Sequence, residues 1–141
     1  MIIMAIDLGK VRTGLAVCDK NELITTPLCT LTAKSRNELA EKILEKIAQT
    51  KAEMLVIGLP KNMDGTLGES AKASLKFKKI LEEKAGLPVA AWDERRTTIA
   101  AASYLNTTNT RGKKRKSIID ALSASIILEN YIAYRKNSPQ T

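Results

Sequence analysis

The chain has 141 residues, 44% of them hydrophobic, and 23 basic against 15 acidic side chains give it a net charge of +8. That length suits one domain that buries its core without staples; no apolar run approaches the roughly 18 residues needed to span a bilayer, so a cytoplasmic protein with no membrane attachment is expected. The absence of histidine excludes Ser-His-Asp and Cys-His hydrolysis and HExxH metalloprotease chemistry, and leaves carboxylates, lysines or metal-assisted water for any hydrolysis.

Residues 2–6 form a continuous apolar run ending at Asp7-Leu8-Gly9, the pattern of a strand buried on both faces with a carboxylate at its C-terminal end. Residues 13–18 and 23–31 read as the next two strands of an antiparallel meander, with Pro27 marking an irregularity or an edge position. Cys18 and Cys29 lie in these apolar stretches without CxxC spacing and read as small buried hydrophobes. Ser35 to Glu38 has the spacing of a capping box, and Leu39, Ile43, Leu44 and Ile47 follow at helical intervals, predicting a helix that ends near Thr50.

Residues 54–57 read as a short buried strand, broken by Gly58 into a loop in which Asp64-Gly65 signals a turn. A helix over 69–85 is stopped by Gly86 and Pro88, and residues 89–92 form a fifth strand running into Asp93-Glu94-Arg95-Arg96. Thr97 or Thr98 caps an Ala-rich helix to about Leu105, residues 106–116 are polar and basic, and Ser117 opens a last helix to about Arg135. The order β-β-β-α-β-α-β-α-α predicts an α/β fold. It is a five-stranded mixed sheet, a three-strand meander plus parallel strands, flanked by helices, in a single domain over 1–135 with a disordered tail at 136–141.

Sites in such sheets form beyond the carboxyl ends of strands, where Asp7, Asp93 and Glu94 fall. Phosphodiester hydrolysis without histidine needs an activated water and neutralised phosphoryl charge, which paired magnesium ions supply when a few carboxylates hold them. Asp7, Asp93, Glu94 and Asp120 are the plausible set. Each has a plainer alternative: Asp7 ends a strand, Asp93 and Glu94 adjoin Arg95 and Arg96 as an ion-pair cluster, and Asp120 completes a capping box with Ser117. Only one of Asp93 and Glu94 can point into a given site from an extended segment. Asp120, however, shares a helix face with Ser123, Ala124, Ile127 and Tyr131, and a carboxylate on a core-facing line wants a cation.

The high net charge favours an anionic partner, nucleic acid first. Arg111, Lys113, Lys114, Arg115 and Lys116 form a basic segment directly before the helix of Asp120, while Lys61 and Asn62 in the loop after the fourth strand, with Arg95 after the fifth, offer a second anion contact. Aromatic residues are only 4%, which argues against a base-stacking platform and for contact with the backbone.

Four stretches, in order, resemble the YqgF (RuvX) family: Ile6-Asp7-Leu8-Gly9 with Gly14; residues 57–65; residues 92–98; and residues 113–124. The resemblance covers nearly the whole chain. It implies an RNase H-like fold and a nuclease, either processing the 5′ end of pre-16S rRNA or resolving Holliday junctions in branched DNA. It also implies that Asp7 and Asp120 are acidic ligands of Mg2+ or Mn2+, with the Asp93 and Glu94 pair supplying the third, expected to be Glu94. Where the wider superfamily ends its fourth strand in a carboxylate, this chain has Gly58. A monomer or weak dimer is expected. Two competing readings are an actin-like nucleotide binder, suggested by Asp7-Leu8-Gly9 with Gly14, and a non-catalytic nucleic-acid-binding module.

Overall fold

The computed structural model describes the backbone of residues 1–96 and 112–137, and the side chains of 1–96 and 120–137. The described elements are β1 (Ile3–Leu8), β2 (Thr13–Cys18), β3 (Thr25–Leu31), α1 (Arg36–Thr50), β4 (Met54–Leu59), α2 (Glu69–Ala85), β5 (Val89–Asp93), a short 3-10 turn (Glu94–Arg96) and α3 (Gly112–Asn137). The strands make one five-stranded sheet in the order β3-β2-β1-β4-β5. β1, β2 and β3 pair antiparallel as the predicted meander, and β4 and β5 join β1 in parallel.

Alternation along β1 divides the core. Met4 and Ile6 face a layer built from Leu39, Ile43, Phe77 and Leu81 of α1 and α2. Ile3 and Ala5 face the opposite layer with Ala124, Ile127, Leu128 and Ile132 of α3 and with Trp92. Because β1 is covered on both sides, its sequence is an apolar run rather than an alternating one. Asp7 has the parity of Ile3 and Ala5, so it comes out on the α3 side, where the apolar packing ends.

The capping box opens α1 as expected: the Glu38 amide donates to Ser35 Oγ at 3.1 Å and the Lys34 amide donates to the Glu38 carboxylate at 2.7 Å. The helix ends in a left-handed cap at Lys51, and α2 ends in one at Gly86, where glycine carries the positive φ without a Cβ penalty. Pro27 sits on the edge strand β3, beside the shift in pairing between Leu15 and Ala16, where its missing N–H costs nothing. Cys18 is buried and Cys29 partly so, and both are free thiols.

Several boundaries differ from expectation, β3 beginning at Thr25 rather than at residue 23 among them, and three have consequences. β4 does not break at Gly58 but continues through Leu59, because Gly58 and Leu59 pair with Trp92 and Asp93 of β5. α3 begins at Gly112 rather than Ser117: lysine and arginine are good helix formers, and the helix extends back through the basic segment. Ser117 is therefore inside the helix rather than at its start, where a capping box with Asp120 would need it. At the other end α3 continues through Lys136 and Asn137, with Lys136 Nζ donating to the Glu22 carbonyl at 2.9 Å, so these two residues are helical rather than part of a disordered tail. The Ala-rich helix expected from Thr97 or Thr98 and the final residues 138–141 lie outside the described residues. No described helix is long and apolar enough to cross a membrane.

Candidate active site

Asp7 lies in a row with two glycines. Across the β1–β2 ladder it is paired with Gly14. On its other side the parallel register runs from Ile3 opposite Met54 to Ile6 opposite Ile57, which puts Gly58 next beside Asp7. Directly opposed residues point their side chains to the same face, so the sheet surface is bare on both sides of this carboxylate.

Other groups fill those bare positions. A Cβ on Gly14 would overlap the carbonyl oxygen of Asp120 and lie 3.0 Å from the amide of Ala121, so the backbone of α3 rests directly on Gly14. A Cβ on Gly58 would come within 2.8 Å of Glu94 Oε2 and 2.7 Å of Ile127 Cδ1. One glycine thus seats the turn of α3 that carries Asp120, and the other makes room for the Glu94 carboxylate. Gly14→Ala is expected to lift α3 off the sheet at a cost of about 1–3 kcal/mol, read as a lower urea midpoint without a change in the slope.

The turn after β5 decides which of its two acids faces Asp7. Asp93 accepts the Arg95 amide at 3.0 Å and the Arg95 guanidinium at 2.6 Å, and this partner holds its carboxyl down at about 2. Arg96 stacks over Trp92 at 5.1 Å and Tyr134 at 4.5 Å. With both arginines anchored outward, Glu94 is left on the inner side of the turn against Gly58. Burial first, then the charges of Asp7 and Asp93, raise its carboxyl to about 7. Burial and the neighbouring charge of Asp120 raise Asp7 to about 6. These couplings tie Asp7 to Asp120 on one side and to Glu94 on the other.

Asp120 also has a cation, from a residue the sequence reasoning passed over. Arg12, in the β1–β2 turn, donates from Nε to Asp120 Oδ2 at 2.6 Å, with about a quarter of the Asp120 side chain exposed (23%). Gly9 allows this turn to close so tightly, because a Cβ there would overlap the Arg12 carbonyl oxygen. Ala124, Ile127 and Tyr131 pack on the sheet as their helical spacing predicts, so Asp120 lies on the core-facing line of α3. Among the described residues no three metal-ligating side chains converge in the geometry of a bound ion.

The remaining predicted contacts separate. The Asn62 side chain donates to Thr66 Oγ1 at 2.9 Å, and the turn at Asp64 and Gly65 closes with the Gly65 amide donating to the Asn62 carbonyl, also at 2.9 Å. Arg95 Nη1 donates to the Met63 carbonyl at 3.3 Å, so Arg95 fastens this loop to the end of β5. Lys61 is near enough to Asp93 to help hold its carboxyl down. Arg111 lies outside the described residues; Lys113, Lys114, Arg115 and Lys116 are in the first turns of α3, and their side chains lie outside the described residues. The missed signals were glycines: Gly14 inside a strand pattern and Gly58 at the end of one are where another group approaches the backbone closely.

The profile of the RuvX family, described as Holliday junction resolvase, matches residues 1–134. A candidate pre-16S rRNA nuclease of Lachnospira eligens is 39% identical over 135 residues, covering 94% of this chain and 96% of that protein. One of Caldanaerobacter subterraneus is 38% identical over 140 residues, covering 98% and 100%. Among solved structures, Thermus thermophilus RuvC superposes with a TM-score of 0.65 at 16% identity over 96% of each chain, a likeness of fold. The expected α/β architecture is thus that of RuvC-like resolvases, and with nearly its whole length matched the chain belongs to the RuvX family.

Proposed function

We propose that the protein is a divalent-metal-dependent endonuclease that hydrolyses phosphodiester bonds at the 5′ end of pre-16S rRNA during ribosome biogenesis, a cytoplasmic task. The observation that carries this reading is the row Gly14, Asp7, Gly58, in which two bare strand positions bring Asp120 and Glu94 to either side of Asp7. The names of the relatives, at 38–39% identity over nearly full length, support the substrate.

The donor set fits a hard cation. It is all carboxylate oxygen, which suits Mg2+ or Mn2+ over softer metals, and Asp7 and Glu94, whose carboxyls are raised by burial first and by neighbouring acids second, are groups that a bound cation would relieve. Asp7, Glu94 and Asp120 would hold the metal, which when bound supplies an activated water and charge neutralisation at the phosphoryl group and the departing 3′ oxygen. Asp93 has a supporting role: by holding Arg95 it shapes the turn that aims Glu94. Arg12 keeps Asp120 oriented beside Asp7. Lys113, Lys114, Arg115 and Lys116 belong to the first turns of α3, where a helix carries partial positive charge and where its first turn holds no acid, so an approaching phosphate backbone is favoured twice. Lys61 adds a cation at the end of β4, and Arg111 extends the same basic segment.

The description of the family favours a second substrate, the four-way DNA junction. A precursor rRNA and a synthetic junction, each incubated with Mg2+, separate the two: RNA cut to 5′-phosphate and 3′-hydroxyl ends is expected, with cleavage lowered about 10²-fold or more in Glu94→Gln. Paired symmetric cuts in the junction, no cuts in RNA and a dimeric solution mass would favour the resolvase instead. A protein that binds RNA and cuts neither substrate would be the non-catalytic module.

A further inference from the structure

The β1–β2 turn has two sides. One carries Arg12 to Asp120; the other carries Lys10 into a cleft on the α1 and α2 side of the same sheet edge. The cleft has two adjoining lobes of about 280 and 180 Å3, both lined by Gly9, Lys10 and Arg36, with Lys34 lining the larger. Each lobe is smaller than the roughly 300–1,000 Å3 of pockets that enclose small molecules. No aromatic ring lines either lobe, so nothing there would stack a base.

The charges in this cleft are unbalanced. Lys10, Lys34 and Arg36 are exposed, and among the described residues none of the three has a salt bridge. The nearby acids are accounted for or few: Glu38 is held by the Lys34 amide and by Lys42, and Glu69 alone lines the cleft. Arg36 is steadied by Phe77, whose ring centre lies 6.0 Å from its guanidinium carbon. Three cations that share a cleft with one acid, Glu69, carry an excess of positive charge, and an anion that spans them removes that penalty.

We propose that this cleft binds the phosphodiester backbone of the nucleic acid flanking the cleaved linkage, through Lys10, Lys34 and Arg36. The inference rests on the nuclease reading. A strand whose reacting phosphate lies at Asp7 reaches Lys10 by crossing the β1–β2 turn, since Leu8 and Gly9 directly follow Asp7 and line the cleft. The cleft therefore grips the substrate on the opposite side of the sheet from α3. Contacts of this kind fix the position of the strand and read no sequence.

The test is a salt titration of binding, done in the Asp7→Asn background with Mg2+ so that a short labelled single-stranded RNA is not cut. A DNA of the same sequence is run alongside, and the effect is expected on whichever strand the Asp7→Asn protein binds. Lys10→Ala with Lys34→Ala should weaken binding on the order of tenfold at low salt and reduce the slope of log K against log salt by about 1.4, the value for two phosphate contacts on a single strand. Lys76→Ala with Lys79→Ala removes the same charge from the outer face of α2 and should change the slope much less. Equal effects of the two pairs, or an unchanged slope in the first, would overturn the cleft while leaving the nuclease reading intact. If the Asp7→Asn protein binds neither strand, the nuclease reading fails along with it.

Discussion

Asp7→Asn is expected to melt higher than the unsubstituted protein at pH 8 without divalent ions, and to lose cleavage by about 10²-fold or more. The loss follows from removing the central carboxylate of the row. The gain follows from linkage. Asp7 is raised from 3.8 to about 6 and Glu94 from 4.5 to about 7, so the folded state binds protons more tightly than the unfolded state. For acids raised in this way, the stabilisation is complete below the unfolded values near 4 and is lost as pH rises through about 6 and 7. At pH 8 the ionised acids oppose folding by about 1–3 kcal/mol, after allowance for their mutual coupling and partial solvation. Replacing Asp7 by a neutral isostere removes its share and lets Glu94 ionise more easily, giving a rise of about 3–10 °C. Mg2+ should raise the melting temperature of the unsubstituted protein by a similar amount and that of Asp7→Asn by much less. Thermal melts at pH 5 and pH 8, with and without Mg2+, check all of this; equal Mg2+ effects in both proteins would remove Asp7 from the site.

Gly58→Ala should be costly for its size, because its methyl would arrive 2.8 Å from Glu94 Oε2 and 2.7 Å from Ile127 Cδ1. A loss of about 1–3 kcal/mol is expected, together with displacement of Glu94 and reduced cleavage. Part of the cost belongs to the pair, so Gly58→Ala should destabilise less in a Glu94→Ala background, by a coupling energy of about 0.5–3 kcal/mol in denaturant melts. The converse substitution tests the location of the carboxylate itself. Gly58→Asp combined with Glu94→Ala puts an acid on β4 near the place Glu94 now fills, and should cleave faster than Glu94→Ala alone. If the double variant is no faster, the position of that carboxylate is not what Gly58 serves.

Gly58 also explains the departure noted in the sequence. A fourth strand without a terminal carboxylate does not lack the acid at that place; Glu94 reaches it from the end of β5, and the glycine is the reason it fits. Reading β4 as ending at Gly58 obscured this, because a glycine after an apolar run signals a turn as readily as a close approach.

Periodicity and caps were enough to determine the order of the described strands and helices, the meander followed by parallel strands, and the position of Asp7 at the end of a doubly buried strand, because those features depend on residues near one another in the chain. The same local signals led to a false helix start at Ser117, where a capping-box spacing occurs inside a helix that the preceding basic residues extend. Which of Asp93 and Glu94 faces Asp7 was not legible, since the answer depends on Arg95 reaching the Met63 carbonyl and Arg96 reaching Tyr134. Nor was the Arg12 partner of Asp120, a contact between residues 108 positions apart. Only the packed sheet could decide these points: it sets Gly14 and Gly58 on either side of Asp7, and how closely α3 and the β5 turn approach is a matter of contact across the fold.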